Sequence, residues 1–445
     1  MKRAVLLFVL IVLAGLKLFS QTISLEELRV LALTNSRSLA KYNLSIKSST
    51  LDEKSRVYSN LPSLSLGVSA SMSLWSSGSS APIENPFDTF SAGASVSVSQ
   101  KIFEGGKSLI QKAINDITTE STRKDALAEY YNVLDSADTA YYAVLEAAAT
   151  LEAEEASLQS SNVSLTIAEI RQLSGIISQG DYLKALSEKE SRENSYNQAR
   201  RNLVLMLAKL KALVGLSEMP ALEPVDFSGY ENLIRRLAAI SDEDAGSLYL
   251  RFWKLLAAAN PSLAKASLSN QRAGKNLDLA KVSYLPSLGA SFSTGLNYTP
   301  NNGLEMSGGR VSLSASIPVD FWVLANNVEK NRLALDSAAL DYISAEVLLD
   351  TELQSALINI FSYAGSFLST QRSLEYAERN FEYTMERYRL SQASVSELGD
   401  ANSLLINSRN NSIKASYGFL QSLSKLRSLA VMDDEQRLIN LLMQN

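Results

Sequence analysis

The chain has 445 residues, a formal net charge of −5, 46% hydrophobic residues, and neither cysteine nor histidine. The two missing residue types remove disulfides, thiol nucleophiles, imidazole bases and the usual zinc or copper ligands together, so an enzyme or a resident metal or other cofactor is not expected. A weak charge with neither sign clustered argues against a nucleic-acid partner.

Residues 1–20 open with Lys2 and Arg3, run almost wholly apolar from Ala4 to Phe19 and end at Ser20. This is the pattern of a signal peptide, with the mature chain starting near Gln21 and no cysteine following to take a lipid. No other stretch approaches the roughly 18 apolar residues a transmembrane helix needs, so any second membrane contact has to be made by strands.

A first repeat is expected over 21–216. It begins with a polar helix near 38–59, continues with strands near 63–75 and 92–102, and ends in a helical hairpin over about 104–216. Leu64, Leu66, Val68, Ala70, Met72 and Leu74 alternate with serine and glycine, and Ala92, Ala94, Val96 and Val98 do the same. Period two means strand. The nine prolines leave Gly105–Leu216 free of any, which permits one very long helix. Within it an apolar or small residue recurs at Leu127, Tyr130, Leu134, Ala137, Tyr141, Val144, Ala148, Leu151 and Leu158, a seam of coiled-coil type. The run breaks once, between Ser174 and Asp181.

Residues 217–245, with Pro220, Pro224 and Gly229, read as a linker holding a short helix. A second repeat is expected over 246–432, and a tail over 433–445. Leu61-Pro62-Ser63-Leu64 returns as Leu285-Pro286-Ser287-Leu288, an internal duplication. Strands are expected near 287–298 and 310–319, then a second hairpin over about 321–432, broken between Ser391 and Glu397. Setting Gly175 against Ser391 brings Ser178 onto Ser394 and Asp181 onto Glu397. Segments 76–91 and 299–309, rich in Gly, Ser, Asn and Pro, are expected to be exposed hairpin tips.

For any single strand a soluble sheet with one wet face gives the same alternation. Here the polar face is nearly all serine and glycine, which suits a water-filled lumen, and Trp75, Phe90, Phe103, Tyr298, Phe321 and Trp322 lie near strand ends, as in an aromatic girdle. Four strands cannot close around water, and lipid tolerates no open edge, so several chains must share one barrel. The fold expected is mainly helical with membrane β, two tandem helix-strand-strand-helix-turn-helix repeats. Three chains would supply a 12-stranded β-barrel and a 12-helix α-barrel. The competing reading is a structural or adhesive coiled-coil protein of the envelope, anchored by its strands.

The paired Leu-Pro-Ser-Leu openings, the segment from Val96 to Gly106, Ala140-Tyr141-Tyr142 with Val144-Leu145, the two tip turns and Asn260-Pro261 together resemble the TolC family of outer-membrane efflux channels. The resemblance covers essentially the whole mature chain. It implies a homotrimer in outer-membrane lipid that extends into the periplasm, without a cofactor, docked by a periplasmic adaptor and driven by an inner-membrane transporter, in drug efflux or protein secretion. It implies an iris gate whose narrowest acidic rings fall on Glu397 and Asp400, and a tie between hairpins joining Asp181 to Tyr388. The turn residues Gly175, Ser178, Ser391 and Ser394 mark the tips that an adaptor would meet. Two departures stand out: Ala393 occupies the place of a gate arginine, and Ser391 that of a tip glycine. Carboxylates gathered on one axis are expected to raise one another's pKa.

Overall fold

In the computed structural model, residues 22–74 and 86–444 are described; the expected signal peptide and most of the 76–91 segment, with Trp75, lie outside them. The elements are α1 (Leu25–Asn35), α2 (Arg37–Tyr58), β1 (Ser63–Ser71), β2 (Ser91–Phe103), α3 (Lys107–Leu173), α4 (Gln179–Val214), α5 (Glu231–Ala238), α6 (Asp242–Ala259), α7 (Pro261–Val282), β3 (Ser287–Thr299), β4 (Gly303–Ser316), α8 (Phe321–Arg389), α9 (Val395–Leu429) and α10 (Glu435–Met443). The proline-free stretches become α3 and α8, of 67 and 69 residues, each roughly 100 Å long. Pro261 sits at the first position of α7, where its missing N–H costs nothing.

The chain divides into two compact units, and each draws on both repeats. One unit holds Lys41–Ala126 and Ser262–Glu346. Its centre is an antiparallel sheet in the order β1-β2-β3-β4. The register brings Leu66 to Val96, Val98 to Phe292, and Phe292 to Val311, so the apolar residues of all four strands share one face. That face is open: Val68 is 80% and Val311 81% exposed. The other face is a serine ladder, with Ser65 Oγ 2.6 Å from Ser97 Oγ and Ser71 Oγ 2.8 Å from Ser91 Oγ. Aromatic rings gather at both strand ends, Phe90 edge-on to Tyr298 and Tyr284 stacked on Phe321.

Strand limits are corrected: β1 ends at Ser71 and β4 at Ser316, short of the expected 75 and 319. The expected tip over 299–309 is only a tight turn at 300–302, because β4 already starts at Gly303. A bulge between Ser293 and Gly295 exchanges the parity of β4. Leu304 and Met306 thereby join Val311 and Leu313 on the apolar face, an alternation that a constant period of two hides.

The other unit holds Met1–Ala40, Leu127–Pro261 and Val347–Asn445. The expected seam is only part of what α3 buries. Leu134, Ala137, Tyr141 and Val144 are buried, but so are Tyr131, Asp138 and Tyr142, since the helix packs on more than one side. The 217–245 linker holds α5 as expected, and α6 already begins inside it, capped by Ser241, whose Oγ accepts the Asp244 N–H. The tail holds a helix of its own, α10, capped by Asp434.

Asp138, fully buried, is the hub of this unit. Its carboxylate accepts Arg29 Nε at 2.7 Å, Arg427 NH2 at 2.7 Å and Ser424 Oγ at 2.7 Å. Glu435 faces both arginines and accepts the Tyr230 hydroxyl at 2.7 Å. Burial opposes the charge on Arg29, but the Asp138 hydrogen bond and attraction outweigh it and raise its pKa. Burial above all raises the Tyr142 hydroxyl too. The cluster thus joins α1, α3, α9 and α10. Asp138→Ala should strand two buried guanidinium groups and cost about 3–5 kcal/mol, read as a lower midpoint in denaturant melts together with lost amide protection in α1 and α10.

Candidate functional site

The two hairpin tips are built alike. At the end of α3, Gly175 takes φ +71°, Gly175 N donates to Gln172 O at 3.0 Å and Ile176 N to Arg171 O at 2.8 Å. At the end of α8, Ser391 takes φ +62°, Ser391 N donates to Tyr388 O at 3.0 Å and Gln392 N to Arg387 O at 2.7 Å. Both are the paired-bond helix ending that requires a left-handed residue, which glycine adopts freely and serine does not.

The returning helices start alike too. Ser178 Oγ accepts the Asp181 N–H at 3.1 Å, and Asp181 accepts the Ser178 N–H at 3.3 Å. Ser394 Oγ accepts the Glu397 N–H at 3.1 Å, and Glu397 accepts the Ser394 N–H at 2.7 Å. These are reciprocal capping boxes that satisfy two orphan donors each. The four turn residues singled out in the sequence therefore form the frame of both tips.

Within a single chain the cap sets the electrostatics of Glu397. Hydrogen bonds from Ser394, backbone first, hold the Glu397 carboxyl below the usual carboxylate range, and Arg387, 3.8 Å away, adds to the effect. Within one chain Glu397 is a capping residue before it is anything else, so like-charge repulsion does not set its pKa. Asp400 lies exposed one turn further along α9, on the same face.

The Asp181–Tyr388 tie is not made as a hydrogen bond. Asp181 is engaged by its own cap, and the Tyr388 hydroxyl donates to Ser164 O at 3.3 Å. Tyr388 is fully buried among Ala168, Ala185, Met385, Val395 and Leu398, with Ala393 packed against the group. Burial raises its pKa, and the nearby charge of Asp181 adds to that.

The hairpins are instead joined by basic residues that the sequence reading missed. The Arg171 guanidinium lies 4.4 Å from the Tyr388 ring centroid and donates to the Tyr388 carbonyl. Lys184 Nζ donates to Ser396 Oγ at 2.5 Å, and Arg192 NH2 to Ser403 Oγ at 2.6 Å while paired with Glu188 at 2.8 Å. One signal was legible: Arg171 and Arg387 each precede the left-handed tip residue by four. Among the described residues no cluster of three or more acidic side chains is placed to hold a metal.

The family model for outer membrane efflux proteins matches residues 28–216 and 253–430, more than half of the chain. The outer membrane protein TolC of Escherichia coli (strain K12) is 22% identical over 385 residues, which make up 80% of this chain and 73% of that protein. Among solved structures, the CmeC outer membrane channel of Campylobacter jejuni superposes with a TM-score of 0.75 at 16% identity, over 94% of this chain and 89% of that one. The outer membrane protein VceC of Vibrio cholerae does so with a TM-score of 0.71 at 16% identity, over 92% and 96%.

Ser391→Gly should relieve the left-handed strain and stabilise the second tip by about 1 kcal/mol, and Gly175→Ala should cost the first tip a similar amount, both read from thermal melts. Glu397→Ala should speed amide exchange over Val395–Leu398 at neutral pH, and Glu397→Gln, which still accepts the Ser394 N–H, should do so less. A depressed carboxylate pKa stabilises above the unfolded value, about 4.3, and that stabilisation is lost as pH falls through the lower folded value. The exchange difference between wild type and Glu397→Ala should therefore shrink on acidification below about pH 4.

Proposed function

This chain belongs to the outer membrane efflux protein family, and from that premise we propose that three copies assemble into one export duct of the outer membrane and periplasm. The observation that carries the reading is the sheet. Its four strands expose a continuous apolar face, line the opposite face with serine and glycine, and leave β1 and β4 as edges among the described residues. Hydrocarbon tolerates the apolar face but not the edges. Pairing β4 of one chain with β1 of the next satisfies them, and three chains give a barrel wide enough for water. No helix among the described residues is long and apolar enough to cross a membrane, so the strands make that contact.

The long hairpins form the periplasmic tunnel and serve as a passive conduit. In the same reading a periplasmic adaptor meets the tip turns at Gly175, Ser178, Ser391 and Ser394, and an inner-membrane transporter supplies the energy. Glu397 and Asp400 narrow the periplasmic mouth. Glu397 is already committed to its cap, so Asp400 is the freer charge. Asp181 and Tyr388 take part in the coupling of the hairpins, with Arg171 as the residue that physically joins them. A pore that opens as an iris needs such a seam between hairpins, because the joint must release as a unit.

The detergent-extracted protein should be a homotrimer by native mass spectrometry; a monodisperse monomer that conducts ions would overturn the reading. Val68→Arg or Phe292→Arg should cost about 2–4 kcal/mol and impair insertion, whereas Ser69→Arg and Ser291→Arg should insert and alter conductance. Equal effects on the two faces would mean a soluble sheet.

A further inference from the structure

Only three charged side chains lie on the four strands: Lys101, Glu305 and Arg310. The register pairs them with Gly289, Asn297 and Ser293, all on the serine and glycine face. Lys101 is paired, its Nζ 2.8 Å from Glu104 Oε1. The Arg310 side chain has no ion pair or hydrogen bond among the described residues, and it is exposed. Glu305 stands opposite Asn297, four positions along β3 from Ser293, a separation of about 13 Å. That exceeds both ion-pair reach and the screening length of about 8 Å at physiological salt. The guanidinium is therefore an unneutralised charge whose near neighbours on that face are small and neutral, with Glu305 and Lys101 set toward the strand ends.

Its placement depends on a built irregularity. On the turn side of the bulge the even positions Leu304 and Met306 lie on the apolar face, 69% and 77% exposed. An unbroken period of two would carry Arg310 onto that same face. The register shift between Ser293 and Gly295 exchanges the parity and turns Arg310 to the polar side. Two glycines make the shift possible. A Cβ at Gly295 would stand 2.7 Å from the Ala94 carbonyl oxygen, and one at Gly309 would stand 3.0 Å from the Phe292 ring. Bulges commonly re-aim one side chain, and here that side chain is the lone mid-strand cation.

We propose that Arg310 is a charge-selective station of the pore, which presents one guanidinium per chain to the lumen and attracts anionic solutes such as carboxylates, phosphates or sulfonates. The inference rests on the barrel reading above, with the serine face inward. Closure would not neutralise the charge, because the polar face of β1, Ser63, Ser65, Gly67, Ser69 and Ser71, offers a neighbouring β4 no acid in any register. Guanidinium suits this work since it stays protonated and presents a planar fork to carboxylate or phosphate oxygens.

The test uses the full-length protein in planar bilayers under a potassium chloride gradient. Arg310→Ser should lower the chloride-to-potassium permeability ratio about twofold or more, Arg310→Glu should lower it further, and Arg310→Lys should keep it near wild type. The chain has no native cysteine, so Arg310→Cys and Val311→Cys give single reactive sites. The anionic thiol reagent methanethiosulfonate ethylsulfonate, added in water, should modify the first and change its conductance, and should leave the second unaltered. A wild-type protein that conducts, with an Arg310→Ser reversal potential identical to it, would overturn the role of Arg310 and leave the barrel standing. A wild-type protein that neither inserts nor conducts would overturn the barrel reading and the inference with it.

Discussion

Backbone polar groups cannot be left unpaired in hydrocarbon, and a single chain that supplies four strands violates that requirement at two edges. This constraint organises the sheet unit. It explains why the apolar face can stay open while the serine face is internally hydrogen-bonded, and why one chain is not a finished object. It also explains the economy of side chains on the polar face. Serine and glycine keep a lumen open, and their hydroxyls bond across to neighbouring strands, as between Ser65 and Ser97, so they do not fill it. Against that surface the one long cation without an ion pair, Arg310, has disproportionate electrostatic weight.

The tips solve a different problem, how to reverse a helix of nearly seventy residues without exposing eight orphan backbone groups. Both hairpins use the same two devices, a paired-bond helix ending and a reciprocal capping box, and both borrow a carboxylate to close the box. The acid that makes Glu397 a candidate gate also makes it the clamp of its own turn. Asp181, its counterpart, is clamped the same way, and this leaves the joining of the hairpins to Arg171, Lys184 and Arg192. Ser391 holds a left-handed conformation that glycine holds in the first tip, so the second turn stores strain that the first does not.

The Asp138 hub shows the opposite use of charge. Removing two guanidinium groups and two carboxylates from water is costly, and apolar packing of the same volume could serve as well for stability. What the ionic cluster adds is geometry. One carboxylate on α3 accepts donors from two other helices at once, which fixes the mutual register of α1, α3 and α9, while Glu435 brings in α10.

Much of this was legible in the sequence because it depends on local periodicity. The period-two runs gave the strands, the absence of proline from two long stretches gave α3 and α8, and the return of Leu-Pro-Ser-Leu gave the duplication. The tip frame of Gly175, Ser178, Ser391 and Ser394 could be read from spacing, since caps and helix endings are fixed by residues within a few positions of one another. Partners distant in sequence could not. Nothing near Asp138 announces Arg29 or Arg427, and nothing near Tyr388 announces Ser164 and Arg171, because those contacts are chosen by how helices pack. For that reason Asp181 and Tyr388 share no hydrogen bond within the chain: a nearby cap engages the aspartate, and the buried tyrosine finds another acceptor in Ser164 O. The bulge belongs to the same class. The sequence determined that β4 alternates from Arg310 onward, but only pairing with β3 decided where the alternation changes parity, and so that Leu304 and Met306 share the face of Val311, because a bulge is a relation between two strands and not a property of either.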